Sequence, residues 1–194
     1  ASNITVTVTL NDASVSTEND TIDLYVDDAC IINATANPSF LTVYYASSNE
    51  SVATVTDYGN VKAVGEGTAV ITLTVGNGET YAVNSTNVTV TVSKVPTEIS
   101  IENYTLKLEV TDEVDTGATL TPADAGNVTY AISNSSIVKV KDGKVIALAE
   151  GEAAITVSFV GDVKYADAEN KTITVNVSLK DASVSVNNDT LDLF

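Results

Sequence analysis

Long blocks of this sequence occur twice in the same order. Gly59, Val61, Ala63, Gly67, Ala69, Ile71, Thr72 and Tyr81 return 84 positions later as Gly143, Val145, Ala147, Gly151, Ala153, Ile155, Thr156 and Tyr165. Asn19, Thr21, Ile22, Leu24, Val26, Asp28 and Pro38 step in the same way onto Asn103, Thr105, Leu106, Leu108, Val110, Asp112 and Pro122. The step lengthens to 85 near Tyr45/Tyr130 and returns at Gly59/Gly143; it lengthens again before the last apolar run, where Val88, Val90 and Val92 match Ile173, Val175 and Val177. Single-residue slips between matched blocks are what loops of unequal length produce. Whatever the fold is, about 85 residues must suffice to build one unit of it.

The ends extend the pattern. Leu179 to Leu193 reads LKDASVSVNNDTLDL against LNDASVSTENDTIDL at Leu10 to Leu24, and Ile4, Val6, Val8 and Leu10 match Ile173, Val175, Val177 and Leu179. The expected organisation is therefore 1–10 as the last strand of a preceding repeat, 11–94 and 95–179 as two whole repeats, and 180–194 as the first strand of a following repeat.

Within a unit, apolar and polar residues alternate with period two between clusters of Gly, Asn and Asp, the pattern of strands with one face on a core and the other in water. Residues 4–10 alternate aliphatic side chains with threonine throughout, and 22–26, 30–36, 41–45, 52–55, 61–64, 69–75 and 88–92 read likewise. This predicts an all-β chain of tandem immunoglobulin-like β-sandwich repeats, about seven strands each. Cys30, the one cysteine, falls opposite Val114 and on the parity of Ile32 and Ala34. That position suits a small apolar core filler, and a single thiol forms no intrachain disulfide.

Charge and composition narrow the function. The formal net charge is −17, all nine cations are lysines, and histidine is absent. An anionic surface repels phosphate backbones, so nucleic acid is not an expected partner. One cysteine and no histidine cannot make a structural zinc site. No apolar stretch approaches the ~20 residues that span a bilayer, so no membrane span is expected in these residues. No histidine exists to activate a serine, and the carboxylates fall on turns and outward faces with nothing to raise one of them selectively, so catalysis is not expected.

The stretch from Tyr45 through Ser47, Ser48, Asn49, Ser51, Val52 and Val55, followed by Gly59 to Thr72, resembles the signature of group 2 bacterial Ig-like domains. The second repeat keeps Tyr130, Ala131, Ser133, Asn134, Ile137, Val140, Gly143, Val145, Ala147, Gly151 and Ile155. Tyr45 and Tyr130 stand where that family often has tryptophan, and Ile132 interrupts the serine pair. The sequon-rich, lysine-only composition is similar to that of adhesin-like surface proteins of methanogenic archaea. The resemblance implies an extracellular cell-surface repeat, assigns no catalytic residue, and makes neighbouring repeats or subunits of the same surface protein the expected partners.

Of seventeen asparagines, twelve stand in Asn-x-Ser/Thr without proline at x: Asn3, Asn19, Asn33, Asn49, Asn84, Asn87, Asn103, Asn127, Asn134, Asn170, Asn176 and Asn188. Serine and threonine make up a little under a quarter of the chain, so chance would supply about four N-glycosylation acceptors. The bland explanation is that polar β-repeats favour asparagine beside threonine. Strand parity favours the functional one, since Asn3, Asn33, Asn87 and Asn176 adjoin Ile4, Ile32, Val88 and Val175 and so point outward if those residues point inward.

Acidic clusters at Asp27 and Asp28, at Asp112, Glu113 and Asp115, and at Asp20 with Asp23 offer the oxygen ligands that Ca2+ takes, although no EF-hand pattern is present. No other cofactor is implied. Lys107 alternates with Leu106 and Leu108, which points it outward and away from the buried site that a lysine–asparagine crosslink needs. The function read from these features is a structural stalk or filament segment of a glycosylated adhesin-like protein, its repeats joined by short linkers such as 93–97. The alternative is a ligand-binding adhesion module that uses sandwich loops, with Tyr44 and Tyr58 as exposed aromatics facing a carbohydrate or host protein. A third possibility is strand addition between chains through 1–10 and 179–194.

Overall fold

The computed structural model describes residues 4–184 and is all-β apart from one 3-10 turn. Its described residues pack as two compact units: the chain up to Pro96 together with Gly161–Ala166, and Thr97–Val160 together with the chain from Asp167.

The first unit holds nine strands: β1 (Ser14–Thr17), β2 (Thr21–Tyr25), β3 (Ala29–Ile31), β4 (Ala34–Asn37), β5 (Tyr44–Ser47), β6 (Ala53–Val55), β7 (Asn60–Ala63), β8 (Gly67–Val75) and β9 (Asn84–Ser93). They form a four-stranded sheet in the order β2-β9-β8-β5, a three-stranded sheet β3-β7-β6 and a pair β1-β4. Val15, Ile22, Leu24, Cys30, Ala36, Tyr45, Val61, Ile71 and Val90, drawn from all three, join one apolar core. The expected seven strands become nine because the run 30–36 divides: β3 pairs with β7, while β4 pairs with β1. The other addition is β1, in a segment where no strand is expected. β1 lies antiparallel to β4, whereas β2 crosses to the other sheet and runs parallel to β9, from Thr21↔Thr89 to Tyr25↔Ser93.

The second unit repeats this order with β10 (Glu98–Ile101), β11 (Thr105–Glu109), β12 (Glu113–Asp115), β13 (Ala118–Thr121), β14 (Thr129–Ile132), β15 (Val138–Lys141), β16 (Lys144–Ala147), β17 (Gly151–Phe159) and β18 (Ala168–Ser178). The sheets are β11-β18-β17-β14, β12-β16-β15 and β10-β13, so each strand has its counterpart. Ile71 and Ile155 are both wholly buried, as are Val61 and Val145, and Val90 and Val175. Burying such a side chain contributes about 1.5–3 kcal/mol each, which is why the long strands β8, β9, β17 and β18 carry the alternation most strictly.

Two glycines show why the turns recur. Gly59 and Gly143 sit at φ +77° and +76°, a backbone region in which a side chain is strained, and a Cβ on Gly59 would stand 2.8 Å from the Ile32 carbonyl oxygen. Gly67 and Gly151, both at φ +143°, open β8 and β17 against Val52 and Ile137.

Cys30 is only half-buried at the edge of the core, because β3 is an edge strand, and its counterpart Val114 is exposed. Among the described residues 4–10 pair with no strand, and Ile4, Val6 and Val8 are 88, 78 and 86 % exposed. Asn3 lies outside the described residues, as do Asn188 and most of the segment 180–194.

Candidate functional site

The acceptor asparagines define the surface that the sequence singles out. All ten that lie in the described residues are exposed: Asn19, Asn33, Asn49, Asn84, Asn87, Asn103, Asn127, Asn134, Asn170 and Asn176. They are spread over turns and strands alike. Asn19 and Asn103 occupy the equivalent turns between β1 and β2 and between β10 and β11; Asn33 stands at the break between β3 and β4. Asn84 and Asn87 lie on β9, Asn170 and Asn176 on β18, and Asn127 precedes β14. With Val88 and Val175 buried, Asn87 and Asn176 point outward as parity requires.

Two of these sequons are explained by the fold itself. Asn49 Oδ1 accepts hydrogen bonds from the Ser51 amide at 3.1 Å and the Ser51 hydroxyl at 2.7 Å. Asn134 does the same with Ser136, at 3.1 and 2.6 Å. Each is an Asx turn that carries the chain out of β5 or β14. Just before it, Ser48 Oγ accepts from the Val70 amide at 2.8 Å, and Ser133 Oγ accepts from Ala154 at 2.9 Å. Ser-Asn-x-Ser is thus turn chemistry first. Asn87 is also engaged, its Oδ1 accepting from Thr72 Oγ1 at 2.9 Å across the outer sheet face.

The acidic clusters serve turns as well. Asp28 Oδ2 accepts from the Tyr25 amide and Asp112 Oδ2 from Glu109, each at 2.9 Å, while Asp115 Oδ1 accepts from Gly117 at 2.8 Å. Glu113 pairs with Lys144 at 3.0 Å. Among the described residues no three acidic or cysteine side chains are placed to hold a metal ion. Burial pushes the Cys30 thiol above its ordinary range, which keeps it protonated and poorly nucleophilic. Lys107 is exposed and stands opposite Asn176 across the β11–β18 ladder, in water rather than in a crosslinking core.

One loop cluster was not legible beforehand. Phe40, 71 % exposed, meets Tyr81 edge-on at 5.7 Å between ring centres, and with Leu41, Thr42, Tyr44, Gly76 and Asn77 it lines a shallow open recess. The second repeat has no such aromatic: the corresponding segment is the 3-10 turn Ala123–Ala125, followed by Gly126. Tyr44 and Tyr58 are exposed as expected, but Tyr58 stands apart in the β6–β7 turn.

The family described as bacterial Ig-like domain (group 2) matches residues 32–84 and again 95–164. Similar solved structures include surface layer protein SbsC, domains 1–6, at 18% identity over 88% of this chain and 28% of that one, with a TM-score of 0.47. The S-layer protein rSbsC(31-844) is 17% identical over 91% of this chain and 29% of that one, at 0.48. Drosophila N-cadherin EC1-3 is 8% identical over 88% of this chain and 68% of that one, at 0.36. The chain thus spans under a third of the length of either S-layer structure. No curated protein matches it. Among the described residues no helix is long and apolar enough to cross a membrane.

Proposed function

Because the chain belongs to the bacterial Ig-like domain (group 2) family, whose signature its two repeats match in turn, we propose that it is a non-enzymatic spacer segment of an extracellular surface protein, sheathed by N-linked glycans. The observation that carries the reading is the exposure of every described sequon asparagine on two modules with like cores. A glycan is bulky and solvated, and only such positions accept one. Asn49 and Asn134 have a structural reason to be sequons, so the surplus over chance rests on the others.

The adhesin-like character, and a source among methanogenic archaea, belong to the same reading and are supported by the lysine-only, sequon-rich composition. In this picture neighbouring repeats are the principal partners, and deleting one repeat shortens reach without abolishing attachment. Intact-mass measurement of the protein from its natural source tests the glycans. A mass above the bare chain by several glycan units is expected, and a mass equal to the bare chain overturns that part of the proposal.

A second reading is favoured by the Phe40–Tyr44 recess in the first repeat, where aromatic rings stand exposed on loops of a rigid sandwich. It makes that loop end a contact site for carbohydrate or a host protein. Glycan-array or cell-adhesion signal from the isolated chain, lost in Phe40→Ala, would move the assignment from spacer to adhesion module.

A further inference from the structure

Residues 4–10 read Ile-Thr-Val-Thr-Val-Thr-Leu, and residues 173–179 read Ile-Thr-Val-Asn-Val-Ser-Leu. Five of the seven positions are identical, and the two that differ, Asn176 and Ser178, are both exposed. The structure places the two segments in opposite environments. Ile173 and Val175 are wholly buried and Val177 is 5 % exposed; Ile4, Val6 and Val8 are 88, 78 and 86 % exposed. In β18 the backbone is paired on both sides, antiparallel to β17 from Gly151↔Val177 and parallel to β11 from Thr105↔Thr174 to Glu109↔Ser178. Residues 4–10 have neither neighbour.

A strand with an aliphatic face and a full row of unpaired amides and carbonyls is poorly matched to water, on its side chains and as an open pairing edge. Its alternation matches that of a strand paired on both edges. We propose that residues 4–10 are an interaction segment whose partner is a further Ig-like repeat lacking its own last strand, which they close as β18 closes the second repeat. The slot they fill is bounded by one antiparallel and one parallel strand. Ile4, Val6 and Val8 enter its core, while Thr5, Thr7 and Thr9 face water. Leu10, 41 % exposed, matches Leu179, 62 % exposed, which lies past the core edge of the second repeat. This inference rests on the repeat architecture and not on the spacer role or its glycans, so either can fail alone.

The test supplies the missing slot from this chain. Residues 98–172, the second repeat without the end of its last strand, are fused directly ahead of residue 4, and amide hydrogen exchange of residues 5–9 is compared with that in the unfused chain. The expected result is slowing by at least about a hundredfold, since amides in a central strand open only with the unit they belong to. Exchange of 5–9 at the unfused rate overturns the proposal, whether or not 98–172 fold. A second measurement needs no fusion: Asn176→Thr with Ser178→Thr gives β18 the sequence of residues 4–10. Retained protection of the Val175 and Val177 amides supports the segment as a closing strand, and its loss overturns it. Concentration-dependent protection of 5–9 in the unfused chain would put a second copy in the partner's place and also overturn it.

Discussion

The two repeats close the same space beneath an equivalent tyrosine in different ways. In the first, Ile32 is buried near Tyr45, and burial pushes the Tyr45 phenol up from its ordinary range. In the second, the counterpart of Ile32 is Thr116, the one buried polar residue among those described, and its hydroxyl stands 3.1 Å from the Tyr130 hydroxyl. The scaffold is indifferent to the exchange: Ile32 and Thr116 each donate the same backbone hydrogen bond, to Gly59 and Gly143, at 2.9 Å. A single fold therefore holds an apolar contact or a polar pair at one position, provided that the polar group finds a partner. A second contrast lies in the loops before β9 and β18. Asn77 Oδ1 accepts from the amides of Glu79, Thr80 and Tyr81, whereas Asp162 Oδ1 accepts from those of Lys164 and Tyr165. One loop is held by a neutral amide and the other by a charge.

The sharpest test of equivalence is in the cores. Ile71→Ala and Ile155→Ala each remove a wholly buried side chain and are expected to cost about 2–5 kcal/mol in their own repeat. Urea unfolding followed at residues of each repeat checks this, and a difference above about 2 kcal/mol would break the equivalence. Gly59→Ala and Gly143→Ala share the positive φ, but the new Cβ meets the Ile32 oxygen at 2.8 Å in the first and nothing nearer than the Tyr130 hydroxyl, at 3.9 Å, in the second. Thermal melts should therefore show a loss of about 1–3 kcal/mol that is larger for Gly59. Thr116→Val strands the Tyr130 hydroxyl and is expected to cost about 1 kcal/mol. The pair Thr116→Val with Tyr130→Phe should recover most of that, and a double-mutant cycle reads the coupling directly.

The smallest effect is in pH. Hydrogen bonds from the Tyr165 amide, then that of Lys164, hold the Asp162 carboxyl below the ordinary carboxylate range. Its pKa is thus lower folded than unfolded, so its stabilisation is complete above the ordinary range and is lost as pH falls through its own lowered value. Protection of the Lys164 and Tyr165 amides should fall below about pH 4 while that of Thr80 and Tyr81 does not, as NMR-detected exchange over a pH series would show.

Much of this was legible in the sequence, for identifiable reasons. β8 and β9 are long and central, so Ala69, Ile71, Leu73 and Val75, then Val88, Val90 and Val92, are all buried and the period shows plainly. The break inside 30–36 was not visible because Ile32 stays inward across it while the backbone changes sheets. Ser14–Thr17 was missed because Val15 is its only fully buried side chain. For the candidate site, parity located Asn87 and Asn176, but Asn49 and Asn134 were ambiguous: Asn-x-Ser spells both a glycan acceptor and an Asx turn. Phe40 lay in a loop, where no period exists to place it.

The parallel pairing of β2 with β9, and of β11 with β18, has a mechanical consequence. Each repeat is entered at β1 or β10, a short strand paired antiparallel with β4 or β13, and left at the end of β9 or β18; once that entry strand is drawn off, a pull on the two ends slides β2 past β9, or β11 past β18, along their length. In that direction the rungs resist together, not one after another as when a hairpin is peeled open. A module built this way is expected to yield late and all at once under tension, whatever its chemistry at Ile32 or Thr116, and force–extension measurement on the chain would show it.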